Sequence, residues 1–205
     1  MMHARFSLIT ADPLRLGGCL KHVEAEVRPG VEMQPGSLGT AMYADAELGL
    51  AFFESCWASE EALVASEHLP SLSQSDMLRQ AAGTATDERY RLPVFEHEGK
   101  LPPAARLRLT RMEIEPSAVA DAVEAYGDTA VSWLADTDGF FSMQLLVNDK
   151  TGHAISETVW RDSAALAASR RVSAEVRAET TVSTGWSIRA VEEYSLLFSS
   201  ARTPL

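Results

Sequence analysis

Two stretches of the chain, ELGLAFFESCW at residues 47–57 and KTGHAISETVW at residues 150–160, superimpose without a gap when the sequence is slid along itself by 103 positions. Gly49, Ala51, Glu54 and Trp57 then fall on Gly152, Ala154, Glu157 and Trp160. The same offset pairs Arg5 with Arg108, Pro13 with Pro116, Gly36 with Gly139, Ala62-Leu63 with Ala165-Leu166, and Ala65-Ser66 with Ala168-Ser169. One further position of shift pairs Tyr90 with Tyr194. A single offset that keeps glycine, proline and tryptophan in register over about 60 residues reads as an internal duplication.

Working outward, each half reads as strand, helix, strand, strand, helix, strand. Arg5–Thr10 and Arg106–Ile114 suit first strands. Pro13 and Pro116 follow an acidic residue, Asp12 or Glu115, at a place where a missing N–H is harmless to a starting helix. Val119, Ala122, Val123, Tyr126, Ala130, Trp133 and Leu134 recur at helical spacing as one apolar face, and the run 136–139 (DTDG) stops that helix. Phe140–Val147 and His153–Trp160 form a hairpin across the turn residues 148–152 (NDKTG). Ser59 and Asp162 are matched N-caps of Ala-rich helices. Last strands are expected over about 88–95 and 188–198. In the first half, the run 28–30 (RPG) is expected to cut the first helix short and Pro70 to break the second. The polar run 96–103 carries a proline pair, so the halves are taken as 1–97 and 104–205 with a linker at 98–103.

With 205 residues, 46% of them hydrophobic, the chain can build a core without a metal or disulfide. A net charge of -11, from 29 acidic and 18 basic side chains, disfavours nucleic acid and anionic membrane surfaces as partners. No apolar stretch approaches the roughly 18 residues of a spanning helix, and the N-terminal apolar run ends at Asp12-Pro13, too early for a signal-peptide core. Cys19 and Cys56 are unclustered, which fits a reduced cytoplasm.

The βαββαβ unit with its G-x-A-x-x-E-x-x-W strand, N-cap and Ala-Leu helix resembles the dimeric α/β-barrel superfamily, and within it the antibiotic biosynthesis monooxygenase type. The residues that carry the likeness include Gly139, Leu145-Leu146-Val147, Gly152, Trp160, Ala165-Leu166 and the terminal stretch 191–194 (VEEY). The resemblance implies an α+β fold: two ferredoxin-like βαββαβ repeats whose antiparallel four-stranded sheets form one pseudo-dimeric eight-stranded barrel within a single chain, with a further homodimer left open. It also implies a substrate bound between a half's sheet and its helices, and chemistries ranging from cofactor-free oxygenation of polyketide-like phenols to haem degradation. The haem-degrading branch places a Trp and a His after the strand-ending Trp where this chain has Ser66 and Asp76, or Ser169 and Glu179, so its iron ligand is missing.

Candidate site residues follow from chemistry. Glu54 and Glu157 each interrupt an apolar strand, where a carboxylate must be paired, solvated or protonated, and a raised pKa would make a general base; pairing with an arginine is the competing reading. Trp57 and Trp160 alternate with the glutamates and so face the other side of the strand, as core or as ligand contacts. His22 and His68 lie on the first half's helices and could share one pocket. Tyr126 and Trp133, seven apart, could line a cavity for an aromatic ligand. Arg170, Arg171 and Arg177 could hold an acidic ligand or pair with Glu175 and Glu179. With no Gly-rich nucleotide loop and no metal-binding spacing, no cofactor is expected. The expected function is an enzyme of the monooxygenase type acting on an apolar or aromatic small molecule, with a non-catalytic carrier or interaction barrel as the alternative. The longer helices of the second half make its pocket the expected site.

Overall fold

The computed structural model describes residues 1–69, 72, 76–97 and 100–200, without the side chains of residues 97, 128–133 and 135. Its strands are β1 (His3–Thr10), β2 (Ser37–Asp45), β3 (Leu50–Trp57), β4 (Thr84–His97), β5 (Arg106–Glu113), β6 (Phe140–Asn148), β7 (His153–Trp160) and β8 (Ser187–Ser199). The helices are α1 (Pro13–His22), α2 (Arg28–Glu32), α3 (Glu60–Ala65), α4 (Asp76–Gln80), α5 (Val119–Ala135), α6 (Ser163–Ala168) and α7 (Arg170–Thr184). β1, β2, β3 and α3 recur as β5, β6, β7 and α6 with both ends displaced by 103 positions. The last strands run longer than their apolar cores suggested, by several residues at the start of β4.

The hydrogen-bonded strand order, β1-β3-β2-β8-β5-β7-β6-β4, closes on itself as an eight-stranded barrel, and every described strand pair is antiparallel. Two compact units divide the chain: Met1–Arg91 with the chain from Ser195 onward, and Leu92–Tyr194. The change of unit falls inside β4 and inside β8: β4 pairs with β1 over Thr84–Arg91, and β8 pairs with β2 over Ser195–Ser199.

The first unit's sheet runs β4-β1-β3-β2 and the second's β8-β5-β7-β6, the ferredoxin-like order. Registers match as well. Arg5 faces Ser55 across β1 and β3, Arg108 faces Thr158 across β5 and β7, and the bulges at Ser37/Gly39 and Phe140/Ser142 occupy equivalent places. On each unit's helix-covered face a buried cluster gathers around a fully buried tryptophan, Trp57 or Trp160. Truncating such a side chain to alanine costs about 3–5 kcal/mol. Its indole N–H donates to the hydroxyl two residues earlier, Ser55 Oγ at 3.1 Å or Thr158 Oγ1 at 3.2 Å.

The matched glycines have a shared cause. Gly36 and Gly139 adopt positive φ, and a Cβ on either would run into the Cβ of Ala62 or Ala165, so the glycine and the alanine of the helix opposite specify each other. Gly49 and Gly152 also have positive φ and lie against the carbonyl oxygens of Ala11 and Ile114, leaving no room for a side chain. Capping follows the sequence: Ser59 Oγ accepts from Ala62 N at 3.3 Å and Asp162 Oδ1 from Ala165 N at 2.9 Å.

One helix departs from expectation. Pro29 does not cut the first helix short: the chain stays helical through Glu32, because a π-helical turn over Val23–Val27 joins α1 to α2. The Arg28 N–H reaches back to the Val23 carbonyl, and the proline, which has no N–H to offer, sits in the first turn of the next segment. Pro70 lies outside the described residues; α3 and a following 3-10 turn end at His68.

Candidate functional site

Arg5 on β1 and Arg108 on β5 point to their units' helix-covered faces, where an unpaired cation would be costly. Both solve this with the same partners. Arg5 Nη2 donates to Leu63 O at 3.2 Å and Ser66 Oγ at 3.0 Å; Arg108 donates from Nη2 to Leu166 O and from Nη1 to Ser169 Oγ, both at 2.9 Å. Beyond this the units differ. Arg108 also donates to Ser173 Oγ at 2.6 Å and to Glu193 Oε1 at 3.0 Å, and its side chain is only 3% exposed. Arg5 has no such carboxylate in its first contacts; burial pushes its guanidinium down in pKa while the nearby Asp87 charge pulls it up.

The space over each sheet follows from this difference. In the first unit a cavity of about 240 Å³ opens between β1, β3, β4 and the helical segment of α1, the π turn and α2. Arg5, Ser7, His22, Glu26, Ser55 and Asp87 are its polar groups and Val27, Val31, Phe53 and Leu69 part of its apolar wall. Ser7 Oγ donates to Asp87 Oδ1 at 2.5 Å, which fixes that carboxylate beside the arginine's strand. In the second unit the corresponding space is about 30 Å³, room for a single water-sized particle. The expectation that the second half has the roomier space between its sheet and its helices is therefore overturned. The longer α7 does not roof an opening: it packs down, and Val176, Tyr126 and Trp186 fill the space over the sheet.

His22 lines the first unit's cavity, as its helix position suggested. His68 does not join it; the ring is exposed, with Nδ1 2.8 Å from Ala65 O. Glu54 and Glu157 are buried, at 4% and 1% exposure, on the opposite sheet face from the cavities. Glu157 Oε2 accepts from Gln144 Nε2 at 2.6 Å, and Glu54 Oε1 accepts from Cys56 Sγ at 3.8 Å, so hydrogen bonding there involves strand neighbours, not the arginines of the helix side. Trp57 and Trp160 pack in the cores and line neither cavity. Tyr126 lines the small second cavity; its hydroxyl lies 2.6 Å from Ser156 Oγ, and burial pushes the phenol up to about 12. The Trp133 side chain is outside the described residues.

Sequence reasoning missed Arg5, Ser7, Asp87 and Trp186 as site residues. The signal for Arg5 was present: an arginine on an apolar strand, matched with Arg108 at the offset that also matches Ser66 with Ser169. Of the arginines on α7, Arg170 pairs with Glu193 and Arg171 with Glu175, both at 3.0 Å, whereas Arg177 turns inward to line the small cavity. No three His, Cys, Asp or Glu side chains among the described residues gather as metal ligands, and no described helix is long and apolar enough to cross a membrane.

No protein-family model matches the chain. Two uncharacterized proteins of Mycobacterium tuberculosis H37Rv are similar to it along its whole length: Rv2558, 24% identical over 205 residues covering 87% of that protein, and Rv2557, 22% identical over 204 residues covering 91%. Among solved structures, an anthrone oxidase-like protein superposes with a TM-score of 0.70 at 15% identity, covering 98% of this chain and 93% of its own. A candidate monooxygenase of Fusobacterium nucleatum follows at 0.68 and 10%, covering 100% and 96%. A Listeria monocytogenes ferredoxin-fold protein related to antibiotic biosynthesis monooxygenases reaches 0.55 at 11%, covering 96% of each chain. The fold is that of the dimeric α/β-barrel proteins, realised in one chain.

Proposed function

We propose that this chain is a small-molecule enzyme of the antibiotic biosynthesis monooxygenase type, and that its substrate, an apolar aromatic compound with an acidic hydroxyl, occupies the first unit's cavity. The observation that carries the reading is the composition of that cavity: in about 240 Å³ an imidazole and a guanidinium, with the carboxylates Glu26 and Asp87 beside them, face an apolar wall. His22 is the base that takes the phenolic or enolic proton, and Arg5 offsets the charge left on oxygen. The electron-rich ring carbon then adds dioxygen; loss of water from the adduct leaves one oxygen atom as a carbonyl and releases the other in the water, with no cofactor required. The anthrone oxidase-like neighbour supports a hydroxylated polycyclic ketone as the compound class.

Oxygen uptake with hydroxylated anthrone-type compounds tests this. His22→Gln is expected to lower the rate by at least about 100-fold. Glu157→Gln, altered on the other sheet face, is expected to keep most of the activity. Tight binding without oxygen uptake in the wild type would make the first unit a carrier; equal loss in both variants would move the chemistry to the buried glutamates.

A further inference from the structure

We infer that the second unit contains a separate site for one small anion of halide size, in the cavity between β5, β7, α5 and α7. Three groups carry it. The indole N–H of Trp186, a residue with no exposed surface, has no hydrogen-bond acceptor among the described residues, and neither does the hydroxyl of Thr180, which is 4% exposed. Both line the cavity. Arg177 lines it too, and among the described residues its guanidinium has neither a hydrogen bond nor an ion-pair partner.

Charge decides between occupants. Arg108 and Arg177 both line the space, and the carboxylate near them, Glu193, already accepts from Arg108 and from the exposed Arg170. A positive excess is thus held against apolar groups such as Leu134, Met112 and Val176, where Coulomb terms are strong. Burial and the neighbouring Arg108 both push the Arg177 guanidinium down in pKa, the situation an anion relieves. A water fits the volume of about 30 Å³ but brings two protons to a place rich in donors and leaves the charge excess uncompensated. Sulfate or a carboxylate-bearing metabolite is too large. A monatomic anion accepts from the indole, the hydroxyl and the guanidinium together.

The test is thermal unfolding of the full chain at fixed ionic strength, with bromide replacing gluconate. A saturable rise in Tm is expected, about 3–6 °C at ten times the half-saturating concentration. Arg177→Gln is expected to abolish the rise, and Trp186→Phe, which keeps an aromatic ring but removes the N–H, to shift half-saturation at least tenfold; Thr180→Val serves as a third variant should Arg177→Gln fold poorly. Identical melting in bromide and gluconate, or an undiminished bromide response in Trp186→Phe and Thr180→Val, would overturn the site and leave the cavity to water.

Discussion

Arg5 and Arg108 occupy equivalent positions in the two units and begin with the same contacts, yet one borders a cavity of about 240 Å³ and the other a gap of about 30 Å³. The difference lies in what completes each guanidinium. Arg108 is finished by Ser173 and Glu193. At the offset of 103 the position of Ser173 is Pro70, which has no side-chain donor or acceptor, and at the offset of 104 that of Glu193 is Arg89, an opposite charge that pairs outward with Glu67 at 2.6 Å. The second unit also has fifteen residues of α7 where the first has the five of α4. A repeated frame thus yields one unit that closes on its own arginine and one that leaves its arginine facing open space, and the second arrangement is the one proposed to receive a substrate.

That contrast can be broken most forcefully at the arginines. Arg108→Met should destabilise the protein by about 3–5 kcal/mol, because it strands the hydroxyls and carboxylate gathered around a buried cation. Arg5→Met, half-buried with fewer partners, should cost about 1 kcal/mol and instead weaken ligand binding. Denaturant titration of both measures the gap; equal costs would mean that the first unit's arginine is as structural as the second's.

The helical glycines sharpen the comparison at smaller amplitude. A Cβ on Gly30 meets no atom within 4 Å, and Gly127 has only Val94 Cγ2, at 3.9 Å, in that range. Alanine at either position should raise stability by about 0.5–1 kcal/mol through helix propensity. Gly30 lines the first cavity, so Gly30→Leu should weaken binding of the aromatic ligand at least tenfold, while Gly127→Ala leaves it unchanged. Isothermal titration separates the two.

The smallest effect concerns pH. Burial works against ionisation of Glu193, but the hydrogen bonds and charges of Arg170 and Arg108 outweigh it and hold the carboxyl below the usual range. A carboxyl depressed in the folded state contributes stability above its unfolded pKa, near 4.3, and loses it as pH falls through the lower folded value. Because the pair with Arg170 is largely exposed, Glu193→Gln should reduce the stability lost on acidification by no more than about 1 kcal/mol. An unchanged acid limb would mean that Arg108 is held by its hydroxyls and carbonyl alone.

How far the site could be read in advance follows from the range of the forces involved. The offset, the succession of strands and helices along each half, the N-caps at Ser59 and Asp162 and the opposite facing of each tryptophan and glutamate were legible, because each rests on local geometry: a period-two strand, a capping oxygen, or a glycine at positive φ. The placement of His22 was legible for the same reason, as a matter of helix position. Which half would be open was not. Longer helices in the second half suggested a roof, but whether a helix roofs a space or fills it depends on how closely it packs, and α7 brings Val176 down beside Tyr126 and Trp186. In the first half Pro29 was taken as a helix stop, whereas a π turn carried the chain past it and kept Val27, Gly30 and Val31 along the cavity wall.

The succession of strands and helices, written twice, was set by the residues alone, since glycine, proline, capping and alternation act within a few positions and leave their mark at fixed spacing. Long-range packing placed Glu54 and Glu157 away from the sheet–helix cavities, anchored the sheets through Arg5 and Arg108 to α3 and α6, and left the larger of those two cavities in the first unit. Those outcomes turn on long-range packing and on which distant group neutralises a buried charge, as Glu193 does for Arg108 across 85 positions of sequence, and no local pattern records that pairing.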